Sequence, residues 1–480
     1  MTKKYQMYIN GEFVDSENYF NVINPSTDEV VSQVPLGTVD DVKRAIDAAD
    51  EAQEAWEALP AIERGQYLNK IADKIRENAD ELTYIISEEI GKTKELSNVE
   101  VNFTADYIDY MAEWARRYEG EIVQSDRPNE NIFVFKKAIG VTTGILPWNF
   151  PFFLIARKMA PALITGNTIV VKPSGESPNN AAEFAKLVDE VGLPKGVFNL
   201  VTGRGGEIGD ELSSNPKVGM VSLTGSVTAG HKVMEAASRN ITKVNLELGG
   251  KAPAIVLNDA DIDLAVKSIV ESRVLNTGQI CNCAERVYVQ EDIKDKFTSQ
   301  FVKAMKEVTY GNPLESEGID MGPLITKAAQ EEVKAKVDRA VEEGAELLYG
   351  GNMVEGKGYF FEPTVLGNTT NDMEVMQEEV FGPVAPIATF KTIDEAIELA
   401  NDSEYGLTSS VYTQNINKAM KIVSKLKFGE TYINRENFEA MQGFHAGTKK
   451  SGIGGADGKH GLEEYLQTHV VYLEYDKEVQ

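Results

Sequence analysis

The amino-acid sequence predicts an α/β protein with two domains. Between residues 168 and 248, short runs of β-branched residues alternate with helical patterns, and a second series of the same kind follows residue 252. Such alternation is typical of βαβ units on a parallel sheet. We expect the second domain to be inserted near Gly250.

The first series is preceded by a helical region. Residues before position 120 have mainly helical patterns, such as VDDVKRAIDAADEAQEAWEAL, and are expected to pack against the first sheet. The elements that follow are predicted, in order, as TIVVKP from Thr168, NNAAEFAKLVDEV, VFNLV from Val197, EIGDELSS, VGMVSLTG from Val218, AGHKVMEAASRN and KVNLEL from Lys243.

The second series begins with the strand APAIVL at Ala252, and Asp261 is the predicted N-cap of the helix IDLAVKSIVESRVL. It continues with ERVYVQ, DKFTSQFVKAMKEV, EVKAKVDRAVEEG and VAPIATF. The tail THVVYLEY has apolar residues on both faces, which suits a strand covered by another subunit.

Composition narrows the class of protein. The 480 residues carry a formal charge of −27, which disfavours binding to nucleic acid or an anionic membrane surface. The most apolar stretch, residues 141–156, contains Pro147 and Pro151 and is too short for a membrane span, so we expect it to be buried core. The start MTKKYQMYINGEFVD has no apolar leader pattern, and we expect a cytoplasmic protein.

Both cysteines lie in the stretch NTGQICNCAERV. Cys281 follows Gly278 and Gln279 at the end of a predicted helix, where a glycine-rich turn can expose a thiol. Cys283 has no such setting and is compatible with a core position. A thiol nucleophile needs a base or a positive environment, but none of the histidines lies in a recognised protease pattern.

Glu247, in NLELGGK, is the better candidate for a general base. It ends a predicted buried strand, and burial raises the pKa of a carboxyl toward neutrality. The alternative is that Glu247 pairs with Lys251 or another cation and has a structural role.

The glycine-rich turns do not form a specific nucleotide motif. GRGGEI from Gly203 has Ile208 where a dinucleotide turn needs glycine, and GSVTAGH has His231 where a P-loop needs lysine. Gly225 and Ser226 nevertheless end a strand and open a helix, where backbone N–H groups can hold a pyrophosphate.

Six motifs occur together in one order. They are PWNFP from Pro147, KPS from Lys172, TGS from Thr224, LELGGKAP from Leu246, GQIC from Gly278 and EEVFGPV from Glu378. Over essentially the whole chain this set resembles the aldehyde dehydrogenase superfamily. The resemblance implies a Rossmann-like cofactor-binding domain from residues 1–120 and 141–250, an α/β catalytic domain from 251–450, and a small β oligomerisation element from 121–140 and 451–480.

The resemblance also implies roles for individual residues. Cys281 would attack the aldehyde, the Asn149 side chain and the Cys281 N–H would hold the oxyanion, and Glu247 would activate water to hydrolyse the thioester. No metal-ligand cluster is visible, and no catalytic metal is expected. The positions implied for the cofactor are Trp148, Lys172, Ser174, Gly225, Ser226, Leu248, Glu379 and Phe381.

Two departures from the family pattern concern selectivity. Many NAD-preferring members have an acidic residue three positions after the KPS lysine, where this chain has Gly175 followed by Glu176. We therefore expect NAD as cofactor, with use of NADP not excluded. Arg157 occupies a position that is often aromatic.

The segment 434–452 is expected to bring further polar groups to the substrate, including Arg435 and Glu436. A substrate hydroxyl would give buried polar groups a partner. Within the family the chain is most similar to the branch that oxidises lactaldehyde and glycolaldehyde, so we expect short 2-hydroxyaldehydes to be converted to carboxylates. The alternative for Arg157 is an ion pair with Glu439 or a neighbour and no contact with substrate. The predicted substrate-binding residues are Arg157, Asn282, Glu439 and His445.

Other functions remain open at this point. They are a dehydrogenase for succinate semialdehyde or another small aldehyde, a CoA-acylating enzyme, a structural protein of the same fold, and a thiol hydrolase. The water-activating Glu247 disfavours the CoA-acylating reaction, and the joint presence of Cys281, Glu247 and Asn149 disfavours a structural protein. The resemblance favours a homotetramer.

Overall fold

The computed structural model describes residues 2–476, and the predicted ends of the cofactor domain at residue 1 and of the oligomerisation element at 477–480 lie outside it. The helices are α1 (Val39–Ala58), α2 (Ala61–Glu77), α3 (Ala79–Ile90), α4 (Lys94–Ala112), α5 (Pro151–Ile164), α6 (Asn179–Val191), α7 (Gly205–Ser214), α8 (Val227–Ala237), α9 (Ile262–Val274), α10 (Lys294–Glu307), α11 (Lys327–Glu342), α12 (Glu374–Gln377), α13 (Ile393–Asn401), α14 (Ile416–Val423) and α15 (Gly458–Glu463).

The strands give five sheets in the part of the chain that the structure describes. They are β1 (Lys3–Lys4), β2 (Met7–Ile9), β3 (Glu12–Val14), β4 (Tyr19–Asn24), β5 (Glu29–Pro35), β6 (Glu121–Gln124), β7 (Glu130–Ala138), β8 (Val141–Ile145), β9 (Thr168–Lys172), β10 (Phe198–Leu200), β11 (Val218–Thr224), β12 (Lys243–Glu247), β13 (Ala252–Val256), β14 (Ala284–Gln290), β15 (Glu346–Tyr349), β16 (Thr364–Gly367), β17 (Val384–Phe390), β18 (Tyr405–Gly406), β19 (Thr408–Tyr412), β20 (Glu430–Ile433), β21 (Thr448–Lys449), β22 (Gly452–Ile453) and β23 (Leu466–Glu474).

The first sheet has the order β22-β12-β11-β8-β9-β10-β2-β3, with β12 to β10 mutually parallel. The chain moves outward from β8 through β9 and β10, then returns to place β11 on the other side of β8. This reversal opens a crevice at the carboxyl ends of β8 and β11, the usual ligand position in such sheets. The pairing of the strands brings their carboxyl ends to one level. Ile145 lies opposite both Lys172 and Leu223, and Thr224 lies opposite Glu247.

The second sheet has the order β15-β16-β17-β14-β13-β19-β20 and is parallel except for β15. The helix α9 begins as predicted, since the side chain of Asp261 accepts a hydrogen bond from the N–H of Leu264. The strand β13 follows β12 after four residues that include Gly249 and Gly250, so the two sheets approach one another at this connection.

The N-terminal region is only partly as predicted. Helices α1 to α4 cover residues 39–112, but the residues before position 36 form five short strands. Two of them, β2 and β3, extend the first sheet in antiparallel orientation beside β10. Strands of two to seven residues give too short an alternation to be distinguished from loops.

The apolar stretch predicted as core forms β8 and α5, and every residue of α5 is buried. Pro151 is the first residue of this helix. A backbone N–H at that position has no acceptor within the helix, so its absence in proline costs no hydrogen bond. Within residues 2–476, no helix is long and apolar enough to cross a membrane.

The third sheet is antiparallel, with the order β23-β7-β6. The predicted tail strand is its edge strand β23, which pairs with β7 along its full length. Large apolar side chains on this sheet face solvent in the single chain, including Ile122 at 74% exposure and Tyr472 at 66%.

Candidate active site

A cavity of about 530 Å³ lies at the carboxyl edge of the first sheet, against the start of the second. Its lining includes the three predicted catalytic residues, Cys281, Glu247 and Asn149. It also includes the four predicted substrate-binding residues, Arg157, Asn282, Glu439 and His445, and six predicted cofactor residues, Trp148, Gly225, Ser226, Leu248, Glu379 and Phe381. The fold thus brings together residues as far apart in the sequence as Trp148 and His445.

A strained loop carries Cys281 into the cavity. Asn276, Thr277 and Gly278 have φ values of 48°, 60° and 74°, so three consecutive residues adopt the left-handed conformation. Gly278 is required there, since a Cβ would lie 2.3 Å from the carbonyl oxygen of Gly382. Buried hydrogen bonds hold the loop: Thr277 Oγ1 donates to the Gly322 carbonyl at 2.9 Å, and Arg273 Nη2 to the Gly278 carbonyl at 2.7 Å.

The two cysteines have different environments. Cys281 is partly exposed and lines the cavity, whereas Cys283 is 1% exposed and its thiol donates to the Ile280 carbonyl at 2.8 Å. Burial raises the pKa of Cys283 to about 12. Cys283 therefore remains an inert thiol in the core, as its sequence setting allowed.

The loop before α5 places Asn149. The Asn149 side-chain amide donates to the carbonyl of Gln279 at 2.9 Å, two residues before Cys281. An amide carries two N–H donors, so a second donor remains for a ligand in the cavity. The buried carboxylate of Glu100 accepts the N–H groups of Phe152 and Phe153 at 2.9 and 3.1 Å and thereby caps the helix that follows Asn149.

The pKa of Glu247 differs from the predicted one. Burial raises its pKa, but Lys158 and Arg157 outweigh burial and hold the pKa at about 2, so the expected elevated pKa was wrong. Its Oε2 accepts from Lys158 Nζ at 3.1 Å and from Thr224 Oγ1 at 2.7 Å. Lys251, the cation considered as a partner of Glu247 from the sequence, pairs instead with Glu285 at 2.6 Å. Glu247 Oε1 is buried and makes no hydrogen bond to any residue in the described range.

Arg157 is held by three carboxylates. Its Nε donates to Asp457 Oδ1 at 2.9 Å, its Nη2 lies 3.3 Å from Glu439 Oε1, and its Nη1 lies 3.9 Å from Glu247 Oε1. The expected alternative, an ion pair with Glu439, is present, and Arg157 lines the cavity as well. Glu439 also accepts from the Asn282 side chain at 2.5 Å, which joins the two residues into one polar wall.

The cofactor candidates divide into two groups. The ring of Phe381 meets that of Trp148 edge to face, with centroids 5.7 Å apart, and Ser226 caps α8 by accepting the N–H of Ala229. Lys172 is instead the last residue of β9 and Ser174 follows that strand, and both are outside the lining of the cavity. Burial lowers the pKa of Lys172 to about 8.

Glu379 sits against the glycine turn after β12. Its Oε1 accepts the N–H of Gly250 at 2.8 Å, and a Cβ on Gly249 would lie 2.7 Å from its Oε2. Glycine at 249 is therefore needed for this carboxyl to reach the cavity. Burial raises the pKa of Glu379 to about 7.

Sequence reasoning missed the apolar wall of the cavity and included two residues that lie elsewhere. The wall contains Phe103, Phe153 and Phe438. Phe103 shares a face of α4 with Leu96, Val99 and Glu100, a helical spacing that could have indicated one lined surface. Arg435 and Glu436, expected near the substrate, are exposed and pair with each other at 2.8 Å.

Comparison with known proteins gives a consistent result. Residues 13–471 match the model of the aldehyde dehydrogenase family. The chain is 65% identical to lactaldehyde dehydrogenase of Escherichia coli (strain K12), over 98% of this chain and 99% of that protein. A crystal structure of the Escherichia coli enzyme superposes with a TM-score of 0.98, at 65% identity and covering 99% of this chain and 100% of that one.

Two more distant relatives are described with different cofactors. D-glyceraldehyde dehydrogenase (NADP(+)) of Thermoplasma acidophilum is 41% identical over 98% of this chain and 96% of that protein. A crystal structure of betaine aldehyde dehydrogenase from Staphylococcus aureus in complex with NAD+ has a TM-score of 0.96, at 38% identity and covering 99% of this chain and 96% of that one.

Proposed function

Because the chain belongs to the aldehyde dehydrogenase family, we propose that it oxidises short 2-hydroxyaldehydes, lactaldehyde to lactate and glycolaldehyde to glycolate, with NAD as cofactor. The observation that carries the proposal is the polar wall of Arg157, Asn282, Glu439 and His445 in the same cavity as Cys281. The 65% identity to a lactaldehyde dehydrogenase supports the same substrate class.

The proposed reaction begins at Cys281. Its sulfur attacks the aldehyde carbon, and the Asn149 amide and the Cys281 backbone N–H donate to the oxygen on which negative charge develops. NAD, when bound, accepts the hydride that leaves the thiohemiacetal carbon. The resulting thioester is hydrolysed by water that Glu247 deprotonates, and its unpartnered Oε1 is the oxygen available to receive that proton.

The residues around the cavity suit a nicotinamide dinucleotide. The N-terminus of α8 at Ser226 offers N–H groups to a pyrophosphate, and the edge-to-face pair of Trp148 and Phe381 offers a flat apolar surface to the nicotinamide ring. We propose that Lys172 and Glu379 hold ribose hydroxyls, with Ser174, Gly225 and Leu248 in the surrounding wall.

The substrate proposal depends on pairing of buried polar groups. Arg157 and Glu439 are already partners of each other, and a 2-hydroxyl can both accept from Arg157 and donate to Glu439. An unsubstituted alkyl chain would desolvate the same groups without a new hydrogen bond. Phe103, Phe153 and Phe438 narrow the same cavity, which supports a short-chain substrate.

We also propose a homotetramer in the cytoplasm. The antiparallel sheet of β6, β7 and β23 has exposed apolar side chains that another subunit can bury, which supports an oligomerisation role for this sheet. A nucleophilic Cys281 needs a reduced thiol, which supports a reducing compartment.

The test is formation of reduced cofactor from L-lactaldehyde, propanal or succinate semialdehyde, each with NAD or NADP, with Cys281→Ser as control. We expect strong formation with lactaldehyde that is lost in the variant. Equal efficiency with propanal would refute the substrate proposal, and a requirement for CoA would favour the CoA-acylating alternative.

A further inference from the structure

His445 lies in the cavity that Cys281 lines and pairs there with a partly buried carboxylate. Its Nδ1 lies 2.6 Å from Oε1 of Glu430, and Glu430 is the first residue of β20. His445 and Cys281 line the same cavity, and each shifts the pKa of the other. Since Nδ1 faces Glu430, Nε2 is the nitrogen available to the sulfur. His445 is 3% exposed.

The backbone fixes this arrangement. The N–H and carbonyl of His445 both bond to Ala456, at 2.9 and 2.8 Å. Tyr432, on the same strand as Glu430, donates its hydroxyl to the Glu430 carboxylate. The imidazole is therefore fixed by the Glu430 carboxylate and by the backbone pairing of His445 with Ala456.

The charges around the ring favour the imidazolium. Burial and Arg157 lower the pKa of His445, but Glu439, Cys281 and Glu430 raise it by more, so the pKa lies well above its usual value. Glu247 and Asp457 belong to the same cluster and also respond to the charge of His445.

The thiol needs such a partner. Burial raises the pKa of the Cys281 thiol, and the hydrogen bond and charge of His445 oppose that rise. Among the described residues Glu247 makes no hydrogen bond to Cys281, because its carboxylate accepts from Lys158 and Thr224 instead.

We propose that His445 is a catalytic residue that stabilises the Cys281 thiolate as a hydrogen-bonding imidazolium, and that Glu430 is the positioning residue that keeps the ring charged and oriented. The proposal rests on the proposed role of Cys281 as nucleophile. The S–H bond breaks with loss of its proton to water, since His445 already carries its own. The sulfur lone pair then forms the bond to the carbonyl carbon while the carbonyl π electrons move to oxygen.

The test is the rate at which iodoacetamide alkylates Cys281 between pH 6 and 11, without aldehyde or cofactor, with the modified cysteine identified by mass spectrometry. In His445→Gln we expect the pH midpoint to rise by about one unit or more and the rate at pH 7 to fall about tenfold, because a nearby opposite charge moves a pKa by roughly one to three units. Glu430→Gln should give a smaller shift in the same direction. His231→Gln, an exposed histidine of α8, is the matched control and should follow the wild type.

Two results would overturn the proposal. One is an unchanged pH midpoint in His445→Gln, and the other is slowing by one constant factor at every pH, which indicates altered access to the thiol. Should His445→Gln fail to fold, an unchanged midpoint in Glu430→Gln refutes the proposal. Failure of the proposed function gives a different result, because Cys281→Ser would then keep its dehydrogenase activity.

Discussion

The ion pair between Lys158 and Glu247 should set the pH dependence of thioester hydrolysis. Lys158 Nζ lies 3.1 Å from Glu247 Oε2, with both groups buried, and it is the largest of the influences that lower the pKa of this carboxyl. In Lys158→Met, Glu247 remains buried but loses the cation that lowers its pKa most. The pKa of Glu247 should therefore rise.

The same chain provides a scale for that rise. Glu379 is half-buried in the cavity wall and Glu89 is fully buried, and burial raises their pKa values to about 7 and about 8. Arg157 remains 3.9 Å from Glu247 in the variant, so we expect a value near 6, slightly below that of Glu379. A change from about 2 to about 6 corresponds to roughly 5 kcal/mol at about 1.4 kcal/mol per pKa unit.

The assay is steady-state hydrolysis of p-nitrophenyl acetate after the acylation burst, between pH 5 and 8. In the wild type Glu247 stays ionised throughout, so its protonation should not slow deacylation. In Lys158→Met only about a tenth of Glu247 is ionised at pH 5, and deacylation should fall about tenfold from its value at pH 8.

Ser222→Ala is the matched control, because it removes the other hydrogen bond of Lys158, 2.9 Å long, and leaves the ion pair intact. The deacylation rate of Ser222→Ala should stay constant between pH 5 and 8. A flat profile in Lys158→Met, or a wild-type profile that already falls with a midpoint between pH 5 and 7, would refute the reasoning.

Three further predictions concern selectivity and stability. Asp457→Asn weakens the hold on Arg157, and the preference for lactaldehyde over propanal should fall about tenfold in kcat/KM; an unchanged ratio would contradict this role. Gly175→Glu should lower kcat/KM with NADP about tenfold or more relative to NAD, because a Cβ at this exposed position meets no atom within 4 Å and the added carboxylate repels a 2′-phosphate; unchanged NADP kinetics would place the phosphate elsewhere. Glu100→Gln removes the charge that pairs with buried Lys92, and the cost of about 3 kcal/mol should appear as a lower thermal midpoint; an unchanged midpoint would show that the pair is replaceable.

Local sequence predicted local structure well. The helix predicted from NNAAEFAKLVDEV is α6, Asn179–Val191, and Asp261 caps α9, because both depend on the spacing of apolar residues and on one capping side chain. The family resemblance predicted which residue types share the cavity. Neither kind of information specified the N-terminal strands, because they are only two to seven residues long and β2 joins the first sheet through the distant strand β10.

Ionisation was harder to predict because it depends on partners that only the fold assembles. Lys158 is 89 positions from Glu247, and Asp457 is 300 positions from Arg157. Burial of Glu247 was inferred correctly from its strand, but the cations beside it could not be inferred. The predicted pKa therefore had the wrong direction although the predicted location was right.

Four buried glutamates of this chain show what decides the direction. Glu247 and Glu285 each lie beside two cationic side chains and have pKa values of about 2, whereas Glu89 and Glu379 are bound mainly by N–H groups and have values of about 8 and 7. Burial raises the pKa of all four, so the low values of Glu247 and Glu285 come from their neighbouring cations, and the anion Glu285 adds to the rise at Glu379. A carboxyl like Glu379, half protonated near neutral pH, can donate as well as accept a hydrogen bond, which suits the ribose hydroxyls proposed as its partners.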